Sequence, residues 1–551
     1  MIKDAGQAPP SVTAMALAAM LSAAAACTSS GDAEGDAKAE RSEYAGRLIL
    51  SGTKPGVRLD PHMDAQWEVL YILSAVYDTL VYQSADGELI PGLARAWRMD
   101  DGGRRYTFEL RDDVTFHDGT RFDAEAVKFN IERILSLGSR SLKAGTLLPD
   151  FESISIVDEH TIRFELARPD NYFLFWLSMP YLAMVSPTAV QTWGEQYHHH
   201  QSGTGPFMFS EYVVGDRYTL RRNPRSDWAP ATHVESGPGL LEEIVWRFLP
   251  EPSTRAPALE AGDVDIAFDL LPTDAEHLAK SRRHTVFEAQ LSGQPAFWFL
   301  NTTLPPTDDI RVRKALLFAA DREVAVESIM RGFNPVAYGP LSAVTPEYAP
   351  ELENLYPYDP ERARALLAQA GWVDQDGDGV REKDGRDLLL RMSMVSWGKS
   401  RFFSEVLYSQ LRAVGVELQL EMMDYSVQME YGRDGSKNML FMGGSGHSAS
   451  DSLKGYFHSD NADSGFAWSK YRDSKLDALL DEAVLTQDIE LRTDLYRRAQ
   501  LMIMNQALIL PIYDYVLLIG ASKRVRGLSW GNTGLIPNYR ELRIDEPSVR
   551  H

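Results

Sequence analysis

Asp374, Asp376 and Asp378 in DQDGDGV (374–380) occupy the first, third and fifth positions of a calcium loop, with Gly379 at the sixth. A hard cation in such a loop takes several oxygens and a bidentate carboxylate at the twelfth position. The twelfth here is Gly385, flanked by Asp384 and Asp387, and the stretch reads instead as a solvated acidic turn. His198, His199 and His200 are consecutive, so in an extended chain they point in opposing directions and do not converge on one metal. His447 lies in GGSGHSASDS (443–452), a glycine-serine loop between strand-like NMLFM and helix-like LKGYF. Cys27 is the one cysteine, which excludes an internal disulfide and any Cys/His dyad beyond it. No GxSxG, HExxH or P-loop is present, and GTGP (203–206) lacks the strand–loop–helix and ribose acid of a dinucleotide site. Carboxylate pairs such as Glu242–Glu243 specify nothing in an acidic chain. These residues do not describe an enzyme, and no cofactor is expected.

The elements that must position such residues are more legible. In LARAWRMDDGGRRYTFELRDDVTFHDGTRFDAEAVKFNIERI (93–134), Tyr106, Phe108 and Leu110 alternate with Thr107, Glu109 and Arg111, the period of a half-buried strand. Asp118-Gly119 makes a turn, and Asp123 caps a helix carrying Ala126, Phe129, Ile131 and Ile134. RLILSG (47–52) predicts a strand followed by a helix with Trp67, Val69, Leu70, Ile72, Leu73 and Val76 on its apolar face. SISIVDEHTIRFEL (153–166) predicts two strands joined at Asp158-Glu159, and residues 310–330 predict a helix with Val312, Ala315, Leu316, Ala319 and Ala320 inward. DLLLRMSM, a helix from Arg401 to Val414 and GVELQLEMM then form a strand–helix–strand unit.

At 551 residues the chain exceeds one core and divides into two or three lobes. Its net charge of −22 argues against nucleic acid or an anionic membrane surface as partner. Ala14 to Ala26 is an apolar run of thirteen residues ending at Cys27. As a helix it spans only about 20 Å, the length of a signal-peptide core and too short for a bilayer. Residues 1–27 therefore read as a lipoprotein signal peptide cleaved before an acylated Cys27, although Ala24 stands where leucine is usual. The polar stretch TSSGDAEGDAKAERSEY (28–44) reads as a disordered tether.

The run 93–134 closely resembles the signature region of the large extracytoplasmic solute-binding proteins of ABC importers, the family that carries oligopeptides, dipeptides and nickel. The resemblance continues through SGTGPFMF (202–209), GDRYTLRRNP (215–224), ALEAGDVDIAF (258–268) and WFLNTT (298–303). It extends through 309–333, GWVDQDGDGVREKDG (371–385) and LILPIYDY (508–515), covering about 47–540 in family order. It implies an α/β fold like that of periplasmic binding proteins, a two-jaw clamp with an extra inserted lobe and mixed sheets flanked by helices. The first lobe would be 45–88, 205–300 and 513–551, the second the insertion 89–204, and the third 301–512, with hinge crossings near Phe299 and Ile512. It further implies an extracytoplasmic monomer that hands a ligand, most simply a peptide, to membrane permeases. A nickel or metal-chelate carrier and an oligosaccharide carrier are the alternatives.

By the same resemblance, the 443–452 loop faces the ligand and offers Asp451 to its ammonium, the tryptophan and Asp-Pro-Asp element usual there being absent. Asp451 reads equally as a cap of the following helix. Arg401 or Lys399 would meet a carboxylate, Trp397 and Tyr425 would form walls, and His447 would serve a metal chelate.

Replacing Cys27 by Ser is expected to move the protein from the membrane to the soluble fraction on cell fractionation. Retention at the membrane would exclude the lipid anchor.

Overall fold

The computed structural model describes residues 46–545, apart from 53–58, 65, 85–86, 171, 231–236, 396–398, 445–447 and 531–535. Cys27 and the tether lie outside the described residues, as do Trp397 and His447. Three large sheets organise the chain.

The first sheet has seven strands in the order 284–290, 516–522, 266–267, 47–52, 243–248, 217–222 and 207–213. Strand Arg47–Gly52 runs parallel to Glu243–Phe248 and to Ile266–Ala267, while Val516–Ser522 returns antiparallel to His284–Gln290. The second sheet has four antiparallel strands, in the order 94–100, 105–110, 161–166 and 151–158. Its buried face carries Tyr106, Phe108 and Leu110, which the alternation marked, together with Ile162 and Phe164. Helix Ala124–Leu137 covers it, capped by the Asp123 carboxylate, which accepts from Ala126 N–H at 2.8 Å. The third sheet has five strands, in the order 417–423, 389–395, 439–442, 296–300 and 509–513. Strands Leu389–Val395 and Glu417–Met423 are parallel and joined by helix Ser400–Arg412, the expected strand–helix–strand unit.

Two expectations change. The helix over 310–330 is two helices, Ile310–Ala319 and Arg322–Met330, because Ala320 turns extended and Asp321 caps the second with its side chain on Val324 N–H. Strand Ala296–Leu300, expected to close the first lobe, pairs instead between Met439–Met442 and Ile509–Tyr513. All five of its residues are buried, and such a continuous apolar run suits an interior strand covered on both faces. The chain thus leaves the seven-stranded sheet at 291–295, and Ile512 too lies inside the five-stranded sheet.

The turn 203–206 brings the chain back to the seven-stranded sheet. Gly205 and Phe207 donate to the carbonyls of Val76 and Ala75, and a Cβ at Gly203 would lie 2.1 Å from the Val76 oxygen. Only glycine fits so close an approach.

One buried ion pair ties residues 59–64 to the second sheet's helix. Arg133 grips the Asp60 carboxylate with two nitrogens, at 3.1 and 2.6 Å, and donates to His62 Nδ1 at 2.7 Å. Arginine cannot accept, so His62 carries its proton on Nε2 and donates it to Ala183 O at 2.9 Å. Burial, aided by Arg133, pushes the His62 pKa down to about 3, and the ring stays neutral. Burial alone would raise the Asp60 pKa, but the Arg133 guanidinium outweighs it and holds it low.

Arg133→Ala is expected to lower unfolding free energy by about 3–5 kcal/mol in urea titrations, because it strands a buried carboxylate. Asp60→Asn combined with Arg133→Met should recover most of that. A single-mutant loss below about 1 kcal/mol would mean that the pair behaves as a solvated one.

Candidate ligand-binding cleft

Helix Trp67–Leu73 carries Glu68 and Tyr71 on successive turns. Tyr71 stacks on Phe268 with centroids 4.8 Å apart, and Phe268 packs on Trp246 at 5.0 Å. This stack sets Glu68 beside Asp269, which adopts φ +52°, a left-handed conformation costly for a residue with a Cβ. Arg255 is buried beneath, donating to Asp269 Oδ2 at 2.9 Å and to the carbonyls of Leu249, Pro250 and Asp269. Burial, reinforced by Asp269 and Asp64, raises the Glu68 pKa to about 7 against the opposing pull of Arg255. Among the described residues, Glu68 has no ion-pair partner.

From the five-stranded sheet's side, burial lowers the Lys399 pKa, while Asp269 and Asp274 oppose the change. Tyr513 stacks on Phe403 at 4.9 Å and meets Tyr515 edge-on at 5.1 Å. From the four-stranded sheet's side, Tyr181 sits in the short turn Pro180–Leu182 against helix Trp67–Leu73. Burial raises its pKa, with Glu68, Asp64 and Asp451 adding to the effect. Lys143 Nζ donates to Asp451 Oδ2 at 2.9 Å, joining residues of the second and third sheets' units. Nearby, Tyr172 donates to Glu347 at 3.4 Å, and the Arg492 guanidinium lies over the Tyr172 ring at 5.5 Å. Carboxylates, ammonium groups and tyrosines from three sheets thus converge. Such a surface can bind a polar, charged solute.

Asp451 reaches this cleft, in the first turn of helix Ala449–Phe457, but Ser448 and not Asp451 caps that helix. Arg401 does not reach it. Its side chain is 68% exposed and pairs with Glu405 at 3.0 Å, because position 401 falls on the solvent face of its helix, whereas Lys399 faces Asp269. Tyr425 opens helix Tyr425–Asp434. The acidic turn is exposed: Asp374 accepts from Gly377 and Gly379 N–H, Asp376 from Asp378 N–H and Asp378 from Val380 N–H. With Glu382 these carboxylates lie within 4.8 Å of one another and could face a hard cation, yet each already serves the turn. The histidine run packs: His200 stacks on Trp193 at 3.5 Å and His199 on Tyr212 at 5.5 Å.

Sequence reasoning missed Glu68, Asp269, Tyr181 and Lys143. Glu68 left one signal, an acid inside the apolar run WEVLYIL. Lys143 left none.

Asp514 lies between Tyr513 and Tyr515, where the chain passes from the third sheet back to the first. Its Oδ2 accepts from Ala343 N–H at 2.9 Å and Gln290 Nε2 at 3.1 Å, and its carbonyl accepts from Asn334 at 2.8 Å. Burial raises its pKa from 3.8 to about 6 despite these donors.

Residues 88–464 match the family described as bacterial extracellular solute-binding proteins, family 5 Middle. The nickel-binding periplasmic protein of Escherichia coli is 29% identical over 489 residues, 84% of this chain and 88% of that one. The glutathione-binding protein GsiB of Salmonella typhimurium is 28% identical over 480 residues, 85% of this chain and 89% of that one. Among solved structures, NikA from Brucella suis in complex with Fe(III)-EDTA superposes with a TM-score of 0.80 at 26% identity, covering 91% of this chain and all of that one. The oligopeptide-binding protein AppA from Bacillus subtilis, holding a nonapeptide, gives 0.74 at 21% identity, covering 91% and 99%.

The Asp514 carboxyl binds its proton more tightly folded than unfolded, so its stabilising effect is complete below about pH 4 and lost as pH rises through 6. Asp514→Asn keeps an acceptor for Ala343 and Gln290 and cannot ionise. It is expected to melt above the parent at pH 7.5, by a free energy on the order of 1–3 kcal/mol, with no gap at pH 4. Equal gaps at both pH values would show that ionisation of Asp514 is not involved.

Proposed function

Since this chain belongs to the bacterial extracellular solute-binding proteins of family 5, we propose that it is the lipid-anchored receptor of an ABC importer, capturing a short peptide or peptide-like solute between its lobes. The family works outside the cytoplasm, and no helix among the described residues is long and apolar enough to cross a membrane. Acylated Cys27 and the tether 28–44 would hold the folded part near its permeases.

The observation that carries the ligand reading is the meeting of Glu68, Asp269, Lys399, Tyr181, Lys143 and Asp451, drawn from three sheets. Charged groups beside tyrosine hydroxyls suit a polar solute with a peptide backbone. Extended peptides satisfy such walls through main-chain hydrogen bonds, which are indifferent to side-chain identity. The lobes proposed are those of the three sheets, with the hinge at 291–295 and 514–515, where two adjacent segments pass from one sheet to another. Closure then follows from contacts that a ligand makes with both jaws at once. Trp397 and Tyr425 stay in this proposal as further wall residues, and His447 as a residue that would serve a metal chelate. A metal-chelate ligand is the second reading, favoured by the 29% identity to a nickel-binding protein.

Mass spectrometry of the solute released when the purified protein is denatured is expected to find short peptides. Returning that solute to the stripped, refolded protein should reduce its radius of gyration in X-ray scattering. An unchanged radius at saturation would rule out the clamp, and a released nickel complex would establish the second reading.

A further inference from the structure

The Lys143–Asp451 ion pair joins the four-stranded and five-stranded sheets' units, and both of its ends are fixed from behind. Lys143 precedes the short helix Ala144–Leu147, and its carbonyl accepts from Thr146 N–H at 2.9 Å and from Thr146 Oγ1 at 2.8 Å. Two residues earlier, Ser141 donates to His62 O at 2.7 Å and accepts from Gly145 N–H at 2.8 Å. The lysine segment is thereby tied to the buried Asp60–Arg133–His62 network. On the other side, Ser448 Oγ accepts from Asp451 N–H at 3.1 Å in the first turn of a nine-residue helix. The two side chains are only 14% and 17% exposed. Tyr181 faces Asp451 from the second sheet's unit and Glu68 and Asp64 from the first.

We propose that Lys143 is a specificity-determining residue of the cleft, occupying Asp451 and withholding it from a ligand's ammonium. This rests on the solute-carrier reading and refines it: the protein takes peptides without selecting for a free amino terminus. The reason is electrostatic. Lys143 is a tethered cation at salt-bridge distance, its backbone already ordered, so it competes for Asp451 at a high effective concentration. An ammonium brought up to Asp451 would stand a few ångströms from Lys143 in a poorly solvated place, where like charges repel strongly. An acetylated amino terminus meets no such repulsion.

The test offers two mixed tripeptide libraries, free-amino and N-acetylated, to the purified full chain and reads capture by mass spectrometry. The parent is expected to capture the two within about threefold of each other. Lys143→Ala should favour the free-amino library by about tenfold or more, the scale of an ammonium gaining a buried carboxylate. Lys143→Ala with Asp451→Asn should return to the parent ratio. Lys143→Gln carries the same expectation should the alanine variant melt early.

A parent that already prefers free-amino peptides tenfold, with Asp451→Asn abolishing the preference, would overturn the proposal, since ligand would then displace Lys143. An unchanged ratio in both Lys143 variants, or capture of neither library by them, would also overturn it. Capture of free-amino peptides by the Lys143 variants but of nothing by the parent would sink peptide carriage while upholding the role of Lys143.

Discussion

Two chain segments, 291–295 and 514–515, carry the polypeptide between the seven-stranded and five-stranded sheets, and they run side by side. Leu291 N–H donates to Tyr515 O at 2.8 Å, and Ala296 faces Tyr513 in the ladder just beyond. A paired crossing of this kind resists shear and twist but can bend, since few main-chain bonds must change. Other contacts between these units are non-covalent, among them the exposed Arg331–Glu276 ion pair and the packing of Phe333 against the cluster that holds Leu259, Leu270 and Leu278. Asp514, at the centre of the crossing, receives Gln290 from one unit and Ala343 from the other.

The cleft's electrostatics follow from burial without full neutralisation. Asp60 is gripped by Arg133 and Asp451 by Lys143, both pairs largely buried, while half-exposed Asp269 sits on the buried Arg255. Glu68 is left, and its pKa near 7 reflects a carboxylate with acids for neighbours and little water. Buried polar groups of this kind are poor contributors to stability, and their concentration at the junction of three sheets is what marks the site. In the turn at 374–379 the carboxylates are solvated instead and serve backbone N–H groups.

Much of the fold was legible because its determinants are local. Asp123 caps its helix, the alternation at 105–110 buries its apolar face, and parallel strands flank helix Ser400–Arg412. The errors are equally instructive. Asp321 is a stronger signal for a helix start than the apolar spacing around it is for continuity, and the helix is interrupted there. Strand Ala296–Leu300 gave no alternation, so its partners could not be inferred from its own residues. Arg401 and Lys399 are two positions apart, and the start of the helix between them sends one to solvent and the other toward Asp269.

The sequence by itself determined the elements, the family to which they belong and the acidic, single-cysteine character of the chain. Hydrogen-bond periodicity and capping act over a few residues and leave their mark on neighbouring side chains. Only the tertiary structure decided which charges meet. Lys143 and Asp451 are 308 residues apart, and Arg133 and Asp60 are 73. Nothing local to Lys143 distinguishes it from a surface lysine. Its partner is set by how two units of the fold pack, which depends on the shapes of whole buried faces and not on any short stretch of chain.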